Sequence, residues 1–185
     1  MAERVCPFWI GYLLLSPLRK VFNNPRKILS PFIKPGMFVL DIGPAMGYFS
    51  LPLAKMVGES GKIICVDMQE RMLQVLLKRA KKRHLENIID IHLCEQTSLN
   101  LNSYQQLIDF ALAFYIVHEV PDQLVFFKEI YQTLKPGGKI LVAEPAGHVT
   151  KERFNETLLV AQTSQFVIEK YLSIHRSRSA ILIKT

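Results

Sequence analysis

Residues 39–47 read Val-Leu-Asp-Ile-Gly-Pro-Ala-Met-Gly, and their order decides the fold. An apolar run from Met37 to Leu40 ends in Asp41, and Gly43 and Gly47 then open a turn. Tyr48, Phe49, Leu51, Leu53, Ala54 and Met56 follow at spacings that suit a helix. A strand, a glycine turn and a helix make the first unit of an open α/β sheet, in which ligands bind at the carboxyl end of the strand. The acid at that end bears on the ligand's charge. A phosphate loop uses backbone N–H groups and the positive end of a helix, and an adjacent carboxylate repels its ligand. Asp41 suits a cation instead, such as an amine or a sulfonium. A dinucleotide fingerprint, G-x-G-x-x-G, needs glycine at 43, 45 and 48, where this chain has Gly43, Ala45 and Tyr48.

The same alternation runs outward from this unit. A short helix over 25–33 and the turn Lys34-Pro35-Gly36 precede the first strand, 37–42. Gly58 and Gly61 close the first long helix, and a second buried strand, 62–66, ends in Asp67. A helix over 70–83 carries Met72, Leu73, Leu76 and Ala80 on one face. Strands follow at 88–93 and 108–113, then an amphipathic helix over 123–134. Lys135-Pro136-Gly137-Gly138 is expected to stop that helix before a fifth strand, 139–143, which runs into Glu144-Pro145. Thr150 can cap a helix over 151–164. Two closing strands, 166–171 and 180–184, read as an antiparallel hairpin at the sheet edge. Five βα units imply a parallel sheet with helices on both faces.

At 185 residues, with 49% hydrophobic and 21% charged content, the chain is the size and composition of one globular domain. Cys6, Cys65 and Cys94 are too few and too scattered for a disulfide framework or a paired metal site, and they point to a reducing cytoplasm. Residues 7–18 are apolar and aromatic, but Gly11, Ser16 and Pro17 interrupt them, and a spanning helix needs about 20 apolar residues. No small-residue cleavage site follows, as a signal peptide would require. Residues 1–24 are therefore read as a lid or docking segment and 25–185 as the main domain. Arg19, Lys20, Arg26 and Lys27 make a peripheral membrane contact through residues 8–27 the alternative role. The net charge of +7 comes largely from Lys78, Arg79, Lys81, Lys82 and Arg83, at a helix end where the dipole favours cations. No aromatic residue interleaves with them, which argues against nucleic acid as a partner.

The stretch D-x-G-x-A-x-G resembles motif I of the class I S-adenosylmethionine-dependent methyltransferases, usually D/E-x-G-x-G-x-G, with Ala45 at the middle glycine. A single Cβ there is expected to be tolerated at an ordinary φ. Asp67 resembles the acid that takes both ribose hydroxyls, a device shared with NAD sites. Cys94-Glu95-Gln96-Thr97-Ser98-Leu99 loosely resembles G-D-A-x-x-L, with Glu95 for the adenine amino group. Asp109 to Asp122 is similar to F-D-x-V-x-x-x-x-x-L-H-H-x-x-D, with Glu119 at the second histidine. Leu134 to Val142 matches L-K-P-G-G-x-L/I-x-V. The resemblance spans about residues 25–185. It implies a Rossmann-like, doubly wound, seven-stranded sheet in the order 3-2-1-4-5-7-6 with the last strand antiparallel. It also implies S-adenosylmethionine as cofactor and S-adenosylhomocysteine as product; it does not identify the acceptor, which is expected to be a small or hydrophobic molecule. The cofactor residues it implies are Asp41, Gly43, Pro44, Ala45, Gly47, Phe49, Asp67, Met68, Glu95, Gln96, Ala113 and Phe114.

Displacement at a sulfonium depends mostly on alignment of the acceptor, and a base is needed only where the nucleophile carries a proton. His118 and Glu119 after the fourth strand and Glu144 after the fifth are the candidates for that role. His118, Glu144 and His148 match no defined metal-ligand spacing, so no metal is expected. Two alternatives stand beside methyl transfer: a cofactor-binding module whose activity is lost or partner-dependent, and an NAD-type oxidoreductase. The missing fingerprint argues against the second.

Overall fold

Strands covered on both faces read as continuous apolar runs, while an edge strand keeps polar or exposed positions. That difference separates the strands of the first of two compact units, Met1–Cys94 and Glu95–Thr185. The computed structural model describes Gly11 and residues 23–185. Apart from Gly11, the expected lid over residues 8–18 lies outside the described residues. In the first unit, β1 (Phe38–Ile42) and β2 (Lys62–Asp67) are buried after their first residue, whereas β3 (Ile89–Leu93) leaves Ile91 and Leu93 exposed. All three run parallel, with Asp41 opposite Cys65 and Cys65 opposite Ile91.

Helix α1 (Pro25–Leu29) starts at Asn24, whose side chain accepts from the N–H groups of Arg26 and Lys27 at 3.0 and 3.3 Å. It is shorter than expected because Pro31, which follows the still-helical Ser30, has no N–H to continue the ladder, and only turn geometry lies beyond it. Helix α2 (Ser50–Val57) follows the glycine turn, and α3 (Glu70–Lys81) buries Met72, Leu73, Leu76 and Ala80, the face expected from the spacing.

The second unit holds β4 (Ile108–Phe114), β5 (Leu134–Pro145), β6 (Phe166–Leu172) and β7 (Ser177–Lys184). β4 and β5 are parallel; β7 runs antiparallel to both β5 and β6. The seven strands fall in the order β3-β2-β1-β4-β5-β7-β6, as the resemblance implies. The antiparallel hairpin of β6 and β7 closes the sheet at this end, as expected, with β6 as the edge strand. Helix α4 (Gln123–Thr133) is capped by Asp122, which accepts the Val125 N–H at 3.0 Å, and α5 (Lys151–Thr163) by Thr150, which accepts from Arg153 at 3.3 Å. Phe127 and Tyr131 of α4 meet Phe166 edge-on, with ring centroids 6.1 and 5.2 Å apart.

The expected turn at 135–138 is instead part of β5, which begins at Leu134 directly after α4. Leu134 pairs with Ile108 and Lys139 with Phe110, so the intervening residues bulge out of the ladder. Pro136 has no N–H to donate, and Gly137 sits at φ 76°. A Cβ on Gly138 would lie 2.8 Å from the Lys135 carbonyl oxygen and 3.2 Å from that of Ile108. The Pro-Gly-Gly signal thus marks a bulge with close backbone approach rather than a connecting loop.

Candidate active site

The β1–α2 loop is fastened on several sides. Gly43 N–H donates to the Val66 carbonyl at 2.9 Å, and Gly47 N–H closes a turn onto Pro44 at 2.9 Å. Gly47 has φ 83°, and a Cβ there would stand 3.0 Å from Leu76 Cγ, so glycine is required both for the backbone angle and for the approach of α3. Arg79 of α3 donates to the Met46 carbonyl. Ala45 N–H donates to Asp67 Oδ2 at 3.3 Å. Ala45 itself lies at φ 48°, contrary to the ordinary φ expected for it. Closure of the loop between these anchors imposes the left-handed angle, and the side chain bears the strain.

The two strand-end acids occupy different settings. Asp41 is 2% exposed, and its Oδ2 accepts the Ser50 hydroxyl at 2.6 Å. Its carboxyl group is buried at the base of the loop rather than open to solvent. Asp67 is 9% exposed; Oδ1 accepts the Gln69 N–H at 2.9 Å while Oδ2 takes Ala45. Burial pushes its carboxyl above the ordinary aspartate value, and the N–H donors of Gln69, Ala45 and Met68 pull against that shift. Met68, directly after it, is an exposed large apolar side chain, while Phe49 is buried in the turn that leads into α2.

In the second unit the three candidates for proton chemistry come together. Glu144, 1% exposed near the end of β5, accepts the Val117 N–H at 2.8 Å through Oε1 and bonds His118 Nδ1 through Oε2. A carboxylate only accepts, so Nδ1 carries the proton and Nε2 is the basic nitrogen of the neutral ring. Nε2 lies 3.9 Å from Glu119 Oε1, and the His118 side chain is 30% exposed. The hydrogen bond from Glu144 raises the imidazole's pKa above its usual value; burial opposes it, the charges of Glu144 and Glu119 assist, and Arg153 opposes.

Sequence reasoning missed Ser50 and Tyr115. Ser50 carries no motif signal; only its position one turn past the loop could have suggested a partner for Asp41. Tyr115 reads as a continuation of β4, yet it sits at φ 65°, an uncommon conformation for a bulky residue. Its N–H donates to Ala143 at 2.8 Å and its hydroxyl bonds Ser177 Oγ at 2.5 Å. This turns the chain into the short helix Val117–Glu119 that presents Val117 N–H and His118 to Glu144. Ala113 and Phe114 are buried at the end of β4, and Pro44 is buried in the loop. Glu95 and Gln96 are exposed, with Glu95 N–H bonded to the Ser98 carbonyl at 3.0 Å. Among the described residues no group of three or more His, Cys, Asp or Glu side chains could hold a metal, and no helix is long and apolar enough to cross a membrane.

A family model described as a methyltransferase domain matches residues 33–175. A demethylmenaquinone methyltransferase of Lactobacillus johnsonii is 33% identical over 126 residues, 68% of this chain and 49% of that protein. The ubiquinone/menaquinone biosynthesis C-methyltransferase UbiE of Haemophilus ducreyi is 30% identical over 112 residues, 60% of this chain and 42% of that protein. The matched stretch thus spans about half the length of these relatives. The crystal structure of an S-adenosylmethionine-dependent methyltransferase from Aquifex aeolicus shares the fold at TM-score 0.87 and 24% identity, covering 98% of this chain and 100% of that one.

Two measurements check this geometry. Ala45→Gly relieves a left-handed alanine and should raise stability by about 1 kcal/mol, or roughly 2–4 °C in Tm for a chain of this size; a fall in Tm would show that the φ is not strained. For His118, the raised pKa means that its stabilising pair with Glu144 is complete below the unfolded value of about 6.5 and is lost as pH rises through the folded value. The stability gap between the wild type and His118→Gln should therefore close with rising pH, and an NMR titration should place His118 above 6.5. A titration at or below 6.5 contradicts the pairing.

Proposed function

The chain belongs to the methyltransferase domain family, and from that premise we propose that it transfers the methyl group of S-adenosylmethionine to a small hydrophobic acceptor, a carbon of a reduced quinone ring. The names of its relatives, demethylmenaquinone methyltransferase and a quinone-biosynthesis C-methyltransferase, support this acceptor class. The Glu144–His118 pair is the observation that carries the reading, because methylation at a ring carbon that bears hydrogen leaves a proton that must be removed.

The residues of the first unit fit the cofactor's chemistry. The Asp67 carboxylate is an acceptor-only group held at the end of β2, where two hydroxyl donors of a ribose would offset its desolvation. Asp41 supplies a negative charge beneath the loop for a cationic ligand. Met68 offers an apolar face to the base. When bound, S-adenosylmethionine supplies an electrophilic methyl on a positive sulfur, which departs as the neutral thioether of S-adenosylhomocysteine. His118 Nε2 takes the surplus proton, and Glu144 stabilises the resulting imidazolium and fixes the ring. Glu119 adds a second negative charge beside it. The apolar segment 8–18 serves as the cover that keeps water from the reaction. Gly11, the described residue of this segment, packs close to the buried side chains of Met46 and Met72, where a Cβ on it would stand 2.8 Å from Met46 Cε and 2.9 Å from Met72 Sδ. We infer a reducing, cytoplasmic setting for the reaction, and the free thiols of Cys65 and Cys94 support it.

The test supplies labelled S-adenosylmethionine and a chemically reduced demethylmenaquinone. Wild type should label the ring carbon. His118→Gln should lose about 10²–10⁴-fold in kcat while keeping cofactor affinity. Asp67→Ala should weaken cofactor binding by about 1–3 kcal/mol in calorimetry. Cofactor binding with no labelling of any quinol would sink the acceptor assignment; unchanged affinity in Asp67→Ala would sink the ribose assignment. A chain starting at residue 23 separates the roles of the N-terminal segment. Lost turnover with retained cofactor binding marks a cover. Lost sedimentation with vesicles, with turnover intact, marks a membrane contact, and failure to fold makes the segment part of the core.

A further inference from the structure

Four cations from three helices line one cavity of the first unit: Arg26 of α1, Lys55 of α2, and Arg79 and Arg83 at and just beyond the end of α3. The cavity has a volume of about 460 Å³, and its wall also includes Tyr48 and Leu51. Among the described residues no acid lines it and none of the four cations is in a salt bridge. The hydrogen bonds made by Arg79 and Arg83 go to neutral carbonyls, Met46 and Arg79 respectively. Burial and the neighbouring charge of Arg83 pull the Arg79 pKa down. A solvated basic helix end would account for Lys78, Lys81 and Lys82, which do not line the cavity. It does not account for convergence from three elements onto one concavity.

We propose that this cavity binds the phosphoryl group of a phosphate-bearing ligand. Planar guanidinium forks meet phosphate oxygens two at a time, an ammonium adds a point charge, and a concave wall strengthens their combined field. The cavity shares Gly47 of the β1–α2 loop with the cofactor residues, but its four charged groups, Arg26, Lys55, Arg79 and Arg83, lie outside those assigned to methyl transfer. The phosphoryl group belongs either to a lipid headgroup or to a soluble phosphate, and the chemistry of the walls is the same for both.

The full chain is tested against vesicles of phosphatidylglycerol in phosphatidylcholine, by sedimentation, and against pyrophosphate, by calorimetry. Two double variants of equal net charge are compared: K55Q/R83Q inside the cavity and K81Q/K82Q outside it. Both replace exposed side chains, and circular dichroism together with S-adenosylmethionine binding verifies the fold. The expected result is wild-type binding to at least one probe, at least tenfold weaker in K55Q/R83Q and within twofold in K81Q/K82Q. A vesicle response alone assigns a lipid headgroup, and a pyrophosphate response alone a soluble phosphate. No binding to either probe, or an equal loss in the two double variants, overturns the proposal.

Discussion

The Asp67 carboxylate joins two turns, and the first unit is organised around it. Its oxygens accept from Ala45 in the loop after β1 and from Gln69 at the start of α3. Removing a carboxylate from water is costly unless donors replace the solvent, and here burial still outweighs them, since the pKa is raised. The folded chain thus carries an acid that is held in position but incompletely compensated. A ligand that donates hydrogen bonds there gains more than it would from a carboxylate already at ease in water. Positioning depends on the same bonds: the loop that Asp67 fastens at Ala45 is also held by Arg79 at Met46 and packed through Gly47 on Leu76.

Most of the fold was legible because buried parallel strands write themselves as apolar runs. Val39, Leu40 and Ile42, and Ile63 to Val66, are buried through both faces, and each run leads to an acid at a strand end. The order of the strands came from the motif resemblance, since periodicity does not rank neighbours. What stayed hidden depends on torsion angles and partners. Nothing in Pro-Ala-Met announces that Ala45 is driven to φ 48°. Pro136-Gly137-Gly138 signals a break, but whether the break is a loop or a bulge depends on the pairing of Leu134 with Ile108. His118, Glu119 and Glu144 were each marked by position at a strand's carboxyl end. Their mutual bonding was not, because it requires the turn at Tyr115.

The two units use unlike chemistry. The first relies on backbone N–H groups, glycine clearance and two acids; the second relies on one imidazole between two carboxylates. On the proposed reading this division follows what a shared cofactor and a variable acceptor demand. A cofactor of fixed shape can be met by a loop whose geometry is imposed by packing, so Gly47 must stay clear of Leu76. An acceptor that differs between relatives is met by side chains, which change without disturbing the sheet.

Strain is placed where the strands end. Ala45, three residues past β1, and Tyr115, directly after β4, both hold positive φ in the turns that leave these strands. Such conformations cost of order 1–3 kcal/mol and persist only where the surroundings over-determine them. For Ala45 the surroundings are the Asp67 bond and the Gly43 and Gly47 turns; for Tyr115 they are the Ala143 carbonyl and the Ser177 hydroxyl. The alternative at Tyr115 is a relaxed strand that would carry Val117 N–H past Glu144. Glu144 would then be left at 1% exposure without that backbone donor, and the His118 tautomer would lose its anchor. An unpaired buried carboxylate costs more than one left-handed residue, so the strained turn is the lower-energy solution. The fold thereby keeps a basic nitrogen at His118 Nε2 by making the relaxed chain path the more expensive one.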